Sequence, residues 1–272
     1  MELKTTIYAV KDGIATITLN RPHRLNAWTG RMHTEYRWCL LQAETNAGVR
    51  IIVVTGTGRG FCAGADSEAL EGHVEKGGYD PGTPAPLAEP GFGVRTEFDA
   101  SFAYHFGLTK PVIAAINGAA AGVGLVLACF ADIRFAAAGV KLTTAHGKLN
   151  LPAEYGLSWL LPRLIGLTHA NDMLLTSRVM MSEEALQVGL VNRVFPADDL
   201  LPQTYRYAME MAKTVSPSSL RETKRQIYTD LHRDAATSVK ESEQLLERMM
   251  QEKDFAEGVA ALTEKRAPKW HD

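Results

Sequence analysis

The sequence predicts an α/β fold, with a spiral of strands and helices over the first two thirds of the chain and a helical portion after it. Two observations predict this fold. The short apolar runs at 51–55 (IIVVT) and 112–116 (VIAAI) are typical of strands buried on both faces, and each leads into a glycine-rich turn. From about residue 158 to about residue 266 the apolar spacing is almost wholly helical.

The composition excludes several classes of protein. The chain has 272 residues, 46% of them hydrophobic, which suffices to bury a core without a metal or a disulfide. Its 29 basic and 31 acidic residues give a formal charge of −2, so we expect no nucleic-acid partner. Three cysteines without CxxC spacing argue against a disulfide framework and against a metal site. The N-terminus carries no export or transit signal, and we expect a cytoplasmic protein.

The first elements are a hairpin and a helix. Residues 3–10 and 14–20 alternate apolar and polar side chains around Asp12-Gly13, which predicts two strands joined by a tight turn. Thr29 is a candidate N-cap for the helix that follows. The remaining elements expected before residue 158 are a helix over about 30–46, a helix over about 95–107, and strands at 133–137 (IRFAA) and 140–144 (VKLTT).

Two segments need separate interpretation. Residues 72–93 contain many Gly and Pro residues and have no clear period, which predicts a mobile loop or a lid over a site. Residues 112–131 are almost uncharged over about the length of a membrane span. Asn117 and the glycines in the middle of this segment instead favour a buried strand, a turn and a helix, so we expect no membrane partner.

Two glycine-rich turns are the strongest candidates for a functional site. The segments 58–66 (GRGFCAGAD) and 118–124 (GAAAGVG) each follow a buried strand and open a helix. Such turns on neighbouring strands direct free N–H groups into one crevice, and paired N–H donors suit a thioester oxygen that becomes an enolate. The second segment also has the GxxxGxG spacing of short-chain dehydrogenases. NAD(P) binding is disfavoured because the motif lies far from the first strand and no Tyr-x-x-x-Lys pair occurs.

Four segments, in order along nearly the whole chain, resemble the enoyl-CoA hydratase/isomerase, or crotonase, superfamily. They are RPHRLNAW (21–28), GRGFCAGAD (58–66), KPVIAAINGAAAGVGLVLACFADIRFA (110–136) and TEKRAPKW (263–270). The resemblance implies a crotonase-like ββα spiral core at 1–197 and a helical region at 198–272 that serves trimerisation and forms part of the CoA site. It also implies an acyl-CoA thioester substrate, no cofactor beyond the coenzyme A of that substrate, and a homotrimer or a hexamer of two trimers.

In this family, two backbone N–H groups form an oxyanion hole, and the resemblance assigns them to Ala65 and Val123. Many members have glycine at the second position. A valine retains its N–H, so the hole can form provided that the φ angle of Val123 is negative. The alternative is that both segments are merely tight turns between a strand and a helix.

The acid/base residues of the family are only partly present. The first of the two hydratase glutamates aligns with Val126, and a count without gaps from Asp132 places the second near His146. Glu154 resembles the single glutamate of Δ3,Δ2-enoyl-CoA isomerases, and its apolar neighbours would raise its pKa. Glu154 could instead be a helix-start residue favoured by the helix dipole. His146 is a candidate second base, a polar pocket residue or a loop histidine without a role in catalysis.

The resemblance also implies residues that contact coenzyme A. Arg24 is placed to meet a phosphate, and Lys265 resembles a C-terminal lysine that reaches CoA from a neighbouring subunit. The adenine is expected near the backbone of Ala63, Gly64 and Asp66. Asp66 and Asp132 are otherwise candidates for structural roles, Asp66 as an N-cap. The loop at 72–93, with Tyr79 and Phe92, is expected to border the acyl pocket.

Three functions follow from these assignments. The favoured one is an acyl-CoA isomerase that moves a C=C bond through a thioester enolate, with Glu154 as the base. The second is an enoyl-CoA hydratase that positions water with Glu154, aided by His146. The third is a non-catalytic CoA-binding homologue, since the usual hydratase acids are missing.

Overall fold

The computed structural model describes residues 1–76, 98 and 100–271. The chain builds two sheets by moving from one to the other, so that strands of the two sheets alternate along the sequence from the third strand to the eighth. In chain order the strands are β1 (Thr6–Lys11), β2 (Ile14–Leu19), β3 (Ile51–Gly56), β4 (Gly60–Cys62), β5 (Val112–Ile116), β6 (Ala119–Ala121), β7 (Ile133–Ala137), β8 (Lys141–Thr143), β9 (Met180–Met181) and β10 (Arg193–Phe195).

The larger sheet has the order β1-β2-β3-β5-β7-β10, and only its first pair is antiparallel. The smaller sheet has the order β4-β6-β8-β9, with its first three strands parallel. Each turn of the spiral therefore contributes one strand to each sheet. The carboxyl ends of β4 and β6 lie side by side, because these strands are parallel neighbours.

Helices cover the sheets and make up most of the C-terminal part. They are α1 (Gly30–Thr45), α2 (Ser67–Lys76), α3 (Tyr104–Gly107), α4 (Val123–Cys129), α5 (Leu157–Thr176), α6 (Ser182–Gln187), α7 (Leu200–Thr214), α8 (Pro217–Asp230), α9 (Ala235–Met249) and α10 (Lys253–Glu264). None of the helices in the described part of the chain is long and apolar enough to cross a membrane.

The N-terminal elements confirm the predictions from sequence. Asp12 and Gly13 both have positive φ angles, 52° and 76°, as the mirror-image turn of a two-residue hairpin requires. The hydroxyl of Thr29 accepts a hydrogen bond from the N–H of Met32 at 3.1 Å and so caps α1. Every residue of β3 is buried, as a continuous apolar run in a parallel sheet predicts.

Three parts of the chain differ from the predictions. The C-terminal part is not wholly helical, since β9 and β10 add edge strands to the two sheets and are too short to show a period. Residues 72–76 continue α2, while 77–93, with Tyr79 and Phe92, lie outside the described residues. In the described part of the segment 95–107, the α-helix covers only 104–107, because Phe102 has a φ angle of +63°, which a helix excludes.

Candidate active site

Two glycines without room for a side chain hold the glycine-rich turns together. A Cβ at Gly124 would lie 2.0 Å from the carbonyl oxygen of Cys62, the last residue of β4. A Cβ at Gly118 would lie 2.0 Å from the carbonyl oxygen of Arg59. Glycine at position 124 therefore lets the first turn of α4 lie directly against the end of β4, and glycine at position 118 lets the chain before β6 lie against the residue before β4.

In the first turn, the backbone of Gly64 determines where the next N–H points. Gly64 has a φ angle of +113°, and its carbonyl accepts a hydrogen bond from the N–H of Trp28 at 2.8 Å. A trans peptide places its N–H opposite its C=O, so the N–H of Ala65 points away from Trp28. Within the described residues, that N–H donates to no protein acceptor.

The second turn repeats this arrangement at the start of α4. Gly122 has φ +48° and ψ −120°, and its carbonyl accepts a hydrogen bond from the N–H of Val126 at 3.0 Å. The N–H of Val123 therefore points out of the helix N-terminus, and it too has no protein acceptor in the described part of the chain. Val123 is not among the residues with positive φ, so its φ angle is negative, as the sequence analysis required for an oxyanion hole with valine at this position.

Both turns line one cavity of about 480 Å³. Glu154 and His146 line the same cavity, so the structure brings together all four residues predicted to act on the reacting part of a substrate. Ala63 and Gly64 also lie in its wall. Val126, which aligns with the first hydratase glutamate, is fully buried and does not line the cavity.

Glu154 begins a short 3₁₀ turn, Glu154–Gly156, that precedes α5. Its side chain is half-buried, and burial raises the pKa of the carboxyl group, while the nearby His146 counteracts part of that rise. The carboxylate accepts no hydrogen bond from a described residue, and the N-cap position of α5 is Gly156. Glu154 is thus not the N-cap of α5, and it lines the cavity.

His146 interacts electrostatically with this carboxylate and lies on a loop that hydrogen bonds fix in place. Its side chain is only 7% exposed, and its Nδ1 atom is buried without a hydrogen-bond partner among the described residues. The hydroxyl of Ser177 accepts hydrogen bonds from the N–H of Gly147 at 3.0 Å and from the hydroxyl of Thr144 at 3.1 Å. These contacts fix the loop, so the imidazole of His146 is held at the cavity wall.

The cavity wall also contains residues that the sequence analysis did not assign to the site, among them Trp28 and His33. His33 lies on α1, is 7% exposed and has a buried Nε2 atom without a partner in the described chain. Burial lowers the pKa of His33 to about 4, and the nearby Arg37 adds to the effect, so the ring is neutral near pH 7. The helical apolar pattern of 30–46 hides this position, because it gives His33 the appearance of a core residue.

Three residues predicted to bind coenzyme A, Arg24, Asp66 and Lys265, do not line this cavity. The guanidinium of Arg24 lies 2.6 Å from the carboxylate of Glu68 and 3.6 Å from that of Asp66. Asp66 is buried, pairs with Arg21 at 2.8 Å and accepts a hydrogen bond from the N–H of Glu68, as expected of an N-cap. Lys265 is exposed at the end of α10 and does not line the cavity of its own chain. The CoA contacts of Arg24, Asp66 and Lys265 stay predictions.

Asp132 is structural, as the sequence suggested. Its carboxylate accepts hydrogen bonds from the N–H of Val112, the ammonium group of Lys224 and the hydroxyl of Tyr228 at 2.6–2.8 Å. Cys62 is also a packing residue, since burial raises the pKa of its thiol to about 12.

Comparisons with known proteins agree with this architecture. Residues 9–272 match the model of the enoyl-CoA hydratase/isomerase family. A probable enoyl-CoA hydratase of Mycobacterium bovis is 38% identical over 267 residues, 95% of this chain and 90% of the relative. The 1,2-epoxyphenylacetyl-CoA isomerase of Escherichia coli is 35% identical over 266 residues, 96% of each protein. The solved enoyl-CoA hydratase of Bacillus anthracis superposes with a TM-score of 0.86 at 29% identity, over 98% of this chain and 99% of the other. Such structures confirm the predicted spiral fold.

Proposed function

The chain belongs to the enoyl-CoA hydratase/isomerase family, and from this premise we propose that it is an acyl-CoA isomerase with Glu154 as its acid/base. The observation that carries the proposal is the set of groups that line the cavity. Two backbone N–H groups that donate to no acceptor among the described residues share it with a half-buried carboxylate of raised pKa. These are the groups that enolate chemistry needs, an electrophile for the oxygen and a base for the carbon acid.

The reaction requires two proton transfers through one residue. The carboxylate of Glu154 removes a proton from C2 of a 3-enoyl thioester, and the electron pair of that C–H bond moves toward the thioester carbonyl. The protonated carboxyl group then returns the proton to C4, so the double bond ends between C2 and C3. A carboxyl pKa raised by burial suits both steps, because the group must accept and release a proton with similar ease.

The dienolate between these steps carries its charge on the thioester oxygen. The N–H groups of Ala65 and Val123 are the proposed donors to that oxygen. Because backbone N–H groups are fixed by the fold, they need no reorganisation as the charge develops. No metal or further cofactor takes part in the proposed step, and coenzyme A enters as part of the substrate.

Enoyl-CoA hydration is the second candidate, and His146 favours it. His146 lines the same cavity as Glu154 and interacts electrostatically with its carboxylate, so the two side chains could act together on a water molecule in the cavity. Relatives carry both names, a probable hydratase at 38% identity and an epoxyphenylacetyl-CoA isomerase at 35%. Isomerisation is preferred because it needs one acid/base residue, whereas the position of the first hydratase glutamate is occupied by the buried Val126.

A homotrimer, or a hexamer of two trimers, is part of the proposal. Large apolar side chains are exposed on the C-terminal helices, where burial against a neighbouring subunit would remove them from water. They include Leu246, Met250, Val259 and Leu262, which are 48–80% exposed. In such an assembly Lys265 could reach the coenzyme A of a neighbouring subunit.

Paired turnover assays test the proposed function. Purified protein is offered a 3-enoyl-CoA and a trans-2-enoyl-CoA of equal length, and isomerisation and hydration are followed separately. We expect isomerisation to exceed hydration, and Glu154→Gln to lower kcat by about 100- to 10,000-fold, the contribution typical of a general acid/base. Glu210→Gln, the same change at an exposed position of α7, is the matched control and should keep wild-type kcat.

The other outcomes decide between the candidates. Hydration that exceeds isomerisation and is lost in the Glu154 variant would make the protein a hydratase with an unusual acid/base set. Full activity of Glu154→Gln would rule out Glu154 in either role. A protein that binds acyl-CoA without turning over either substrate would be the non-catalytic homologue.

A further inference from the structure

Phe102 is a buried residue that packs behind two parts of the candidate active site. It is 1% exposed and does not itself line the cavity. The centroid of its ring lies 5.6 Å from that of Trp28 and 5.1 Å from that of Tyr155. Trp28 and Tyr155 both line the cavity, so Phe102 supports the cavity wall from behind at two places.

The first of these neighbours, Trp28, holds the turn that carries a proposed oxyanion donor. The N–H of Trp28 donates to the carbonyl of Gly64 at 2.8 Å, and the carbonyl of Trp28 accepts from the N–H of Asp66 at 2.9 Å. The N–H of Ala65 belongs to the same peptide group as the carbonyl of Gly64. Because that peptide is planar, the hydrogen bond from Trp28 fixes the direction of the Ala65 N–H.

The second neighbour, Tyr155, directly follows the proposed base. Tyr155 has a φ angle of +50° within the short turn Glu154–Gly156, a backbone region that residues with a side chain rarely adopt. Such a conformation persists only where the surrounding structure holds it. The ring of Phe102, packed edge-on against that of Tyr155, is one of the contacts that hold this turn.

Phe102 is itself held by buried hydrogen bonds. It has a φ angle of +63°, and its carbonyl accepts from the N–H of His105 at 3.1 Å and from the Nδ1 atom of the same residue at 2.5 Å. A carbonyl only accepts, so Nδ1 carries the proton, and the Nε2 atom of the neutral ring accepts from the hydroxyl of Tyr36 at 2.7 Å. The ring of Phe102 therefore projects from a backbone that is fixed in place.

We propose that Phe102 is a positioning residue, which keeps the N–H of Ala65 and the carboxylate of Glu154 in fixed relative positions. The inference rests on the proposed function, because it takes Ala65 to supply a donor and Glu154 to be the base. In that reaction the base must reach a carbon of the substrate while the donor holds the thioester oxygen of the same molecule. The rate therefore depends on how accurately the two groups are placed, and a small displacement of either is costly.

Replacing the ring with a smaller apolar side chain tests this inference. Phe102→Leu leaves space into which Trp28 and Tyr155 can shift. Phe135→Leu is the matched control, because Phe135 is also 1% exposed, packs edge-on against two other rings and does not line the cavity. Phe102→Met, which fills more of the space, provides a second variant in case Phe102→Leu yields too little folded protein.

Three quantities are measured for the wild type and each variant. They are the Tm, kcat and KM for whichever enoyl-CoA the wild type turns over, and the hydrogen–deuterium exchange of the backbone by mass spectrometry. Both leucine variants should have a lower Tm. Only Phe102→Leu should have a lower kcat, by about 10- to 100-fold, with KM within about three-fold of the wild-type value, because the misplaced groups act in the transition state. Phe102→Met should show the same split to a smaller extent.

The exchange measurement reports on the turn directly. Phe102→Leu should speed exchange in the segment 64–68, whose Asp66 N–H is bonded to Trp28, and Phe135→Leu should leave this segment at the wild-type rate. Folded Phe102 variants with wild-type kcat would overturn the inference, as would an equal loss of kcat in Phe135→Leu. A wild type that turns over neither enoyl-CoA would overturn the proposed function, and the inference with it.

Discussion

Replacing Gly122 with alanine should remove one of the two N–H donors without crowding the cavity. A Cβ at this position would meet its nearest neighbours, the carbonyl oxygen of Thr144 and the Cα of Gly64, at 3.8 and 4.0 Å. These are ordinary contacts, so the added methyl group collides with nothing. The cost is conformational, because φ +48° with ψ −120° is a backbone region that alanine avoids, at an expense of about 1–3 kcal/mol.

We expect the chain to relieve that strain by rotating the peptide between residues 122 and 123. One hydrogen bond opposes the rotation, from the N–H of Val126 to the carbonyl of Gly122, and its net contribution is only about 1 kcal/mol. The rotation would turn the N–H of Val123 away from the substrate. Loss of one such donor lowers kcat by roughly 100- to 1000-fold, or about 3–4 kcal/mol of transition-state stabilisation.

The assay is kcat for isomerisation of a 3-enoyl-CoA, measured alongside thermal unfolding. Gly139→Ala is the matched control, because Gly139 has a φ angle of +73° in the turn between β7 and β8, with space for a Cβ and no place in the cavity wall. Both variants should have a lower Tm, and only Gly122→Ala should have a lower kcat. A Gly122→Ala protein with a lower Tm and wild-type kcat would refute the reasoning. Strain at residue 122 would then not remove an N–H donor on which turnover depends.

Three further predictions concern the same cavity and its frame. His146→Gln removes the group that lowers the pKa of Glu154, so the acidic limb of the kcat/KM profile should move to higher pH; an unmoved limb would contradict the coupling. The pKa of His33 falls from 6.5 to about 4 on folding, so the unfolded chain takes up the proton first and stability is lost as the pH falls from about 6.5 to 4. Urea unfolding of His33→Gln should therefore show about 1–2 kcal/mol less loss of stability between pH 7 and pH 5 than the wild type, and an equal loss would show that His33 titrates normally. Gly124→Ala places a Cβ 2.0 Å from a backbone oxygen and should lower the urea-unfolding free energy by about 3 kcal/mol, whereas a near-neutral result would mean that α4 does not press on β4 as described.

The parts of the fold that local chemistry determines were predictable from sequence. The hairpin at Asp12-Gly13 and the capped helix after Thr29 depend on residues within a few positions of one another. The strands β9 and β10 were missed because two or three residues show no period, and they form only where a sheet edge is already present. Long-range packing is a tertiary property that a single sequence does not display.

Some residues of the site could likewise be predicted from the sequence, and others could not. The two glycine-rich turns are recognisable from their composition, and the resemblance to a family connects them to Glu154 and His146. His33 has no such signal, because a histidine on the apolar face of a helix looks the same whether its ring is satisfied in the core or left unpartnered in a cavity wall. Only the packing of Trp28 and Phe102 around the ring distinguishes the two cases.

The distribution of these groups also explains how the proposed chemistry could diverge from hydration without a change of fold. The proposed oxyanion donors are backbone N–H groups, held by glycines whose replacement would collide with or strain the main chain. The titratable side chains that line the same cavity, His146 and Glu154, come from the segment between β8 and α5 and not from either glycine-rich turn. Position 126 is occupied by a valine that is fully buried in α4, where a two-glutamate hydratase is expected to have a carboxylate. Stabilisation of the enolate and choice of the proton route are thus carried by separate parts of the chain, and the second can change while the first is preserved.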